Sequence, residues 1–350
     1  MLSSITYIIL EIVTEMYICK NHRLSFKICY NNFVRKKDKT VKFNPITITE
    51  KDLLTPFLFK YGASSCQHSF AAMLGLASKY GDEYCIEDDV LYIHRSGRDH
   101  DKYRVYLAPL TAGDKDMVSC VGKIIKDAHE NGKLASFETV TGEFVSSLNA
   151  SCSNDVQIVG KTSFMVTQDR DYAEYIYSTD SLSVLPGRAL APKRNRIRAF
   201  YSAYEDHIRI ENISAKNMDE VRAFQEKWIT EKKKSDDGPM LETENEAIRF
   251  YLDNYDVLGF TGIVVYVYGT VVGYAAGVPL SDSTMDEIIE KGLPEITGIY
   301  QLLCNEFALI CCKDYKYINR EEDIGLEGLR RAKMSYQPEI LLSKYIMREL

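Results

Sequence analysis

The sequence predicts an α/β protein, a mixed sheet with helices on its faces, arranged in two similar halves. Three observations carry this. Helically spaced apolar segments alternate with runs rich in β-branched and aromatic residues along most of the chain. One such run in each half folds back on itself as an antiparallel hairpin. The order strand, helix, hairpin, helix, strand, helix occurs twice, without visible sequence repetition. The boundary between the halves falls near "AYEDH", residues 203–207.

In the first half, "SCQHSFAAMLGLASKYG" has helical spacing and a glycine stop. "DDVLYIHRSGRDHDKYRVYLAPL" reads as two strands around a polar, glycine-containing turn. "MVSCVGKIIKDAHENGK" is an amphipathic helix closed by Asn-Gly, "VQIVGKTSFMVTQDRDYAEYIYS" is strand-like, and "RNRIRAFYSAYED" is helical. In the second half, "HIRIENI" is a strand, followed by helices in "NMDEVRAFQEKWITEKKK" and "ETENEAIRFYLDNYDVLG". "GIVVYVYGTVVGYAAGVPL" is a hairpin turning at Tyr268-Gly269-Thr270. A buried helix "GIYQLLCNEFALICCK", a strand "YKYINRE" and a last helix "GLEGLRRAKMSY" before Pro338 complete it.

At 350 residues there is room for two cores. The formal charge of −7 excludes a molecule built to coat DNA, and any phosphate contact has to come from a local basic patch. The nine cysteines include no C-x-x-C pair, and the six histidines show no metal spacing, so free thiols in a reduced, cytoplasmic protein without a metal are expected. Residues 1–40 carry seven Lys or Arg against three Asp or Glu. "ITYIILEIV" is too short and too interrupted by Glu11 and Glu15 to span a bilayer, so no integral membrane segment is expected. Residues 1–41 are expected to be an extension outside the core fold, or a start-site artefact. Residues 42–204 and 205–350 are then the two domains.

Two segments stand out. In "YINREEDIGLEGLRRAKMSYQP", Asp323 is placed to cap a helix starting near Ile324, with Glu321 and Glu322 at its positive end and Arg330, Arg331 and Lys333 toward its negative end. Capping accounts for the charges but not for Gly325 and Gly328, which together cost roughly 1–2 kcal/mol against alanine. Glycines at a helix start let a ligand or a second backbone approach. The other segment holds Lys193, Arg194, Asn195, Arg196 and Arg198, a basic cluster suited to phosphate or to a solvated helix face, with Tyr177 on the strand before it. His68 has no sequence partner completing a triad and reads as structural. There is no phosphate loop, no G-x-G-x-x-G and no G-x-S-x-G, which argues against nucleotide hydrolysis, dinucleotide redox chemistry and serine hydrolysis.

"EYIY", then "LPGR" and "KRNRIRAF", then "GLRRAKMSYQP" together resemble the bacterial family of the phosphatidylglycerol lysyltransferase C-terminal domain over residues 42–350. Gly328, Leu329, Arg330, Lys333, Tyr336 and Pro338 stand in the places of that family's final motif, whereas Ser335 stands where a second basic residue is usual. The resemblance implies tandem Gcn5-related N-acyltransferase-like domains. It further implies transfer of an aminoacyl group from the 3′ end of aminoacyl-tRNA to a lipid headgroup, or to a small hydroxyl or amine acceptor, with no dissociable cofactor. An acyl-CoA-dependent N-acyltransferase, a Fem-type ligase and a non-catalytic ligand-binding module are the alternatives. No Gln/Arg-x-x-Gly-x-Gly/Ala pyrophosphate loop follows either hairpin.

On this reading the catalytic set is Asp323 and Glu322 as bases, with a pKa raised by partial burial, and Arg330, Lys333 or the Gly325 N–H at the oxyanion. Substrate contacts fall to Asn319, Glu321, Gly325, Gly328, Ser335 and Tyr336, and to Lys193, Arg194, Asn195, Arg196, Arg198 and Tyr177. Asp323→Asn is expected to abolish transfer and leave the melting temperature nearly unchanged.

Overall fold

A computed structural model describes residues 41–350, apart from 63–64, 112–114, 149–151, 154–155 and 235–237. The expected extension, up to residue 40, lies outside the described residues. The first strands are β1 (Asn44–Pro45), β2 (Asp82–Glu87), β3 (Val90–Arg95), β4 (Tyr103–Tyr106), β5 (Leu110–Thr111) and β6 (Leu134–Thr141). Then come β7 (Cys152–Ser153), β8 (Val156–Val159), β9 (Thr162–Ser178), β10 (Ile208–Asn212) and β11 (Thr261–Val267). The last are β12 (Thr270–Ser281), β13 (Thr284–Gly292), β14 (Tyr317–Glu322) and β15 (Ile340–Glu349). They form one mixed sheet in the order β1-β2-β3-β4-β6-β15-β9-β14-β13-β12-β11-β10, with β5, β7 and β8 off this path.

Most of the expected elements form. The hairpin between β11 and β12 turns on Tyr268 and Gly269, both left-handed (φ 51° and 75°), which matches the twist of the flanking strands. Helix Met117–Glu130 ends at Asn131 and Gly132, as the Asn-Gly signal implies. "SCQHSFAAMLGLASKYG" forms as three short helical pieces, the last ended by left-handed Gly81. Three strands depart from expectation. A further hairpin joins β2 to β3 through Asp88 and Asp89 (φ 53° and 59°). The stretch after the second hairpin is β13, and residues after Pro338 form β15.

β15 is a central strand, antiparallel to β6 on one edge and to β9 on the other. β9, from the first half, in turn pairs with β14 of the second. Each half thus lends a strand to the other. The helical layers are shared too. Leu54, Leu58 and Phe70 of the first half pack in one core with Val221, Val264 and Tyr274 of the second. Gly75 lets the helices close up there, since a Cβ on it would fall 2.1 Å from the Tyr251 ring. On the opposite face helices Ala191–Tyr204 and Ile299–Ile310 cover β11, β12 and β14. Helix Met117–Glu130 covers β4 and β6. Residues 42–350 make one compact unit.

Candidate functional site

β13 and β14 run parallel and stay in register only from Thr284↔Tyr317 to Asp286↔Asn319. Beyond that point they part, and the sheet opens. On its other edge β14 follows β9 with a register break between Asn319 and Glu322, where Glu321 takes a left-handed conformation (φ 57°). A bulge of this kind re-aims side chains and is common beside functional sites.

On one face the opening is bridged by charge. Arg320 donates to Glu287 at 2.5 Å and to Glu290 at 2.6 Å. Burial pushes Glu290 up to about 8; Arg320 opposes this and the Glu287 carboxylate adds to it. The Arg320 guanidinium lies 5.3 Å from the centre of the Tyr336 ring, and Lys193 Nζ lies 4.2 Å from the same ring. Lys193 also donates to Ser335 Oγ at 2.6 Å, and the Tyr177 hydroxyl donates to the Lys333 carbonyl at 2.8 Å.

The other elements of the opening make a buried carboxylate cluster. Asp286 is wholly buried, and neither of its carboxylate oxygens has a hydrogen-bond partner among the described residues. Burial raises its pKa well above the usual range, and the charges of Glu321, Glu174 and Glu322 add to the rise. Glu321 is raised likewise, by burial first and then by Glu322. Glu174, equally buried, is different. It meets Lys344 Nζ at 2.6 Å and accepts from Asn319 Nδ2 (2.6 Å), Ser65 Oγ (2.8 Å) and the Cys66 N–H (3.0 Å). Burial works against its charged form, but Lys344 and these bonds outweigh burial and lower its pKa. Glu322 accepts from Cys66 Sγ (3.2 Å) and Gln67 Nε2 (3.5 Å). Residues 65–67 of the first half thus reach carboxylates at the opening of the second. Lys333 is half-buried and donates to the carbonyls of Arg320 and Glu322, which fixes the end of β14. The cluster suits a ligand cation, because Asp286, held as the neutral acid by burial and its neighbours, has no hydrogen-bond partner among the described residues, and a cation would favour its ionised form.

Asp323 is not a helix cap. Ile324 and Gly325 are left-handed (φ 46° and 78°), and the helix begins only at Glu327. Asp323 is instead buried and accepts from Arg330 Nε (2.9 Å) and Nη2 (2.8 Å), Arg170 Nη1 (3.1 Å), the Tyr175 hydroxyl (2.5 Å) and the Gly325 N–H (3.0 Å). Burial favours the neutral acid, but the bonds from Arg330, Tyr175 and Gly325 hold its pKa well below the ordinary carboxylate range. The expectation of a base with raised pKa fails here, since two guanidiniums stabilise the anion. Arg330 is further tied to Asp171 at 2.7 Å. Arg330 and the Gly325 N–H are therefore already engaged, and neither is a free oxyanion donor.

Gly325 has a reason to be glycine: its φ is left-handed, and a Cβ would lie 2.9 Å from the Asp171 carboxylate. Gly328 is exposed, and among the described residues nothing lies within 4 Å of a Cβ built on it, so none of them presses on it. Arg194 is occupied by the carbonyls of Leu185 and Gly187. Asn195, Arg196 and Arg198 are exposed on the outer surface of their helix, and only Lys193 of the basic cluster turns toward Tyr336. The structure thus brings Asn319, Glu321, Glu322, Lys333, Ser335, Tyr336, Lys193 and Tyr177 to the opening. It adds Glu174, Asp286, Glu287, Glu290, Arg320 and Lys344, which sequence reasoning passed over. Their signal was a charge inside an apolar strand run, as in "YAEYIY" and "MDEIIEKG".

Residues 59–348 match the family described as "Phosphatidylglycerol lysyltransferase, C-terminal". The chain belongs to this family. The family resemblance carried by the "GLRRAKMSYQP" segment is thereby borne out. A conserved protein of unknown function from Bacteroides thetaiotaomicron is 30% identical and superimposes with a TM-score of 0.80, over 89% of this chain and all of that one. The C-terminal domain of a putative lysylphosphatidylglycerol synthetase from Agrobacterium fabrum is 11% identical with a TM-score of 0.58, covering 86% of this chain and 92% of its own. The L-PGS structure from Bacillus licheniformis is 14% identical with a TM-score of 0.56, covering 85% and 91%. The last two likenesses are of fold. An uncharacterised protein of Mycoplasmoides gallisepticum is 22% identical over 194 residues, 55% of this chain, and the match spans 59% of that relative's length. Among the described residues no helix is long and apolar enough to cross a membrane.

Proposed function

We propose that this family member is an aminoacyl transferase that moves an aminoacyl group from the 3′ end of aminoacyl-tRNA to a hydroxyl or amine acceptor. The observation that carries the reading is Asp286. A buried carboxylate without a partner lowers stability, and it is kept where a ligand supplies the missing cation. The α-ammonium of an aminoacyl ester is such a cation, with Glu321 and Glu322 beside it. The names of the Agrobacterium and Bacillus relatives make a phosphatidylglycerol-type lipid the first acceptor to try. On this reading residues 42–204 and 205–350 are two Gcn5-type units in tandem that have traded strands β9 and β15.

The ester is already activated, so the protein chiefly orients it. The acceptor oxygen or nitrogen attacks the ester carbonyl and forms the new acyl bond. The bond to the tRNA ribose oxygen breaks, and that oxygen leaves with the proton the acceptor gives up. Glu322 is the candidate to relay this proton, since Asp323 is locked by its arginines. Exposed Arg196 and Arg198 would meet tRNA phosphates, which makes transfer sensitive to salt.

The test uses aminoacyl-tRNA labelled in its amino acids, mixed with the protein and a lipid extract. Label should move from tRNA to the lipid phase, and Asp286→Asn should cut the rate at least tenfold. The same variant should be more stable than the parent by about 1 kcal/mol. Because folding raises the Asp286 pKa, the parent loses stability as pH rises from about 4 through that folded value, and the asparagine variant does not. Label that stays on the tRNA would leave acyl-CoA chemistry or simple ligand binding as the account.

A further inference from the structure

The two ends of the sheet are finished differently. At one end β1 is two residues long and closes on Pro45, and a short strand with proline resists further pairing. At the other end β10 (Ile208–Asn212) pairs with β11, and among the described residues no strand lies on its other side. β10 holds no proline, and its register with β11 is unbroken from Ile208↔Val267 to Asn212↔Ile263. Its edge is not blunted.

The bonds at either end of the strand fix which backbone groups point outward. The Tyr268 N–H donates to the His207 carbonyl at 3.1 Å, and the Ile213 N–H donates to the Gly262 carbonyl at 2.9 Å. Antiparallel ladders alternate, so in this register Arg209 and Glu211 bond β11. Ile208, Ile210 and Asn212 then turn their N–H and C=O groups away from it. The Asn212 carbonyl accepts from Asn217 Nδ2 at 3.0 Å and keeps a second lone pair.

Such an edge accepts one more antiparallel strand, and a second copy of β10 fits it. Two copies centred on Arg209 would set arginine against arginine, and centred on Glu211, glutamate against glutamate. Centred on Ile210, all five residues pair: Ile210 with its copy, Ile208 with Asn212, and Arg209 with Glu211. This register alone of the three sets unlike charges opposite each other. Both charges are also held in place beforehand. Arg209 Nη1 donates to Glu211 Oε1 of the same strand at 2.6 Å and its guanidinium lies 3.9 Å from the centre of the Tyr266 ring. Glu211 further accepts from Asn217 Nδ2 at 3.3 Å. Side chains ordered in advance lower the cost of association.

We propose that β10 is a homodimer interface, in which two copies join their sheets edge to edge, antiparallel and centred on Ile210. Arg209 of each copy stands opposite Glu211 of the other. The inference rests on the edge strand and does not depend on aminoacyl transfer. Five residues make a small contact, so the dimer is weak, with a Kd on the order of 10–100 µM.

The test is sedimentation equilibrium of the 350-residue chain from about 5 to 500 µM, which should show monomer and dimer in exchange. Arg209→Glu sets carboxylates against each other, and Glu211→Arg sets guanidiniums against each other. Each should weaken the dimer about tenfold or more. Mixed together, the two variants carry complementary strands and should pair as well as the parent does with itself. A change that merely loosened the monomer would not give this recovery. Ile210→Pro removes an outward N–H and no bond to β11, so it should abolish the dimer and keep the circular dichroism of the parent. A monomer at every concentration, a dimer that both charge variants leave intact, or charge variants that do not pair when mixed would overturn the proposal. If Ile210→Pro does not fold, the mixing experiment decides.

Discussion

Between β4 and β6 the sheet opens onto a cleft walled by Leu107, Leu110, Val140 and Phe144, with Glu143 and Ser147 among its few polar groups; between β13 and β14 it opens onto Arg320, Glu287, Glu290 and the buried carboxyl of Asp286. The backbones are laid out alike, with a parallel pair, a covering helix and, on the other edge, a register break that holds one left-handed residue, Thr139 (φ 55°) in β6 and Glu321 in β14. The side chains that finish the two are opposite in character. Strand geometry therefore sets where a site can be, and substitution at the same strand positions sets what it can hold. One opening is filled with charge that must be balanced. The other is walled mainly by apolar side chains.

The hardest test of this contrast removes the bridge. Arg320→Ala leaves Glu287 and Glu290 without their cation and should cost about 3–5 kcal/mol. Glu290 already titrates near 8 in the folded protein, so the parent weakens as pH rises from the ordinary carboxylate range of about 4 through that value. The variant should weaken more steeply, which denaturant midpoints at pH 6 and pH 9 would reveal. An equal loss at both would mean the bridge is not electrostatic.

Next is Asp323→Asn, expected from the sequence to be neutral for stability. The structure predicts a loss of about 2 kcal/mol, because charge-assisted bonds from Arg330 and Arg170 are weakened. Folding lowers the Asp323 pKa, so its contribution is complete above about 4 and fades as pH falls below that. The gap between parent and variant should close in acid. A melting temperature unchanged at pH 7 would restore the catalytic-base reading.

The smallest effect concerns the matched left-handed residues. Glycine relieves a strained φ, against the entropy it loses on folding, so Thr139→Gly should raise stability by about 0.5 kcal/mol. Glycine at an ordinary strand position lowers it by about as much. Glu321→Gly should gain more, since it also removes a half-buried acid whose pKa folding raises. Equal gains would mean that the carboxylate adds no cost of its own.

Elements that carry their own local signal were legible in the sequence. The Tyr268-Gly269 turn, the Asn-Gly stop after Glu130 and the apolar helix around Leu303 all formed as read. The missed strands share a physical cause. β13 holds Asp286, Glu287 and Glu290, and β15 holds Lys344, all facing inward with partners, where they have them, from distant elements. Hydrophobic periodicity scores such residues as surface, and so reads the strands as loops. The site suffered the same way. Glu321, Glu322 and Lys333 were found because they cluster in sequence, whereas Glu174 and Asp286 meet them only through the sheet. Asp323 was misassigned because Ile324 takes a left-handed conformation that sequence rules give to glycine or asparagine.

The traded strand has a consequence for biosynthesis. β6 and β9 belong to the half that leaves the ribosome first, yet the strand that fits between them is β15, made after everything else it touches. Until it arrives, two hydrogen-bonding strand edges stand open in the nascent protein, and exposed edges recruit other chains. A ribosome stalled after residue 330 would carry an early half that is fully translated but unfinished, a natural client for a chaperone.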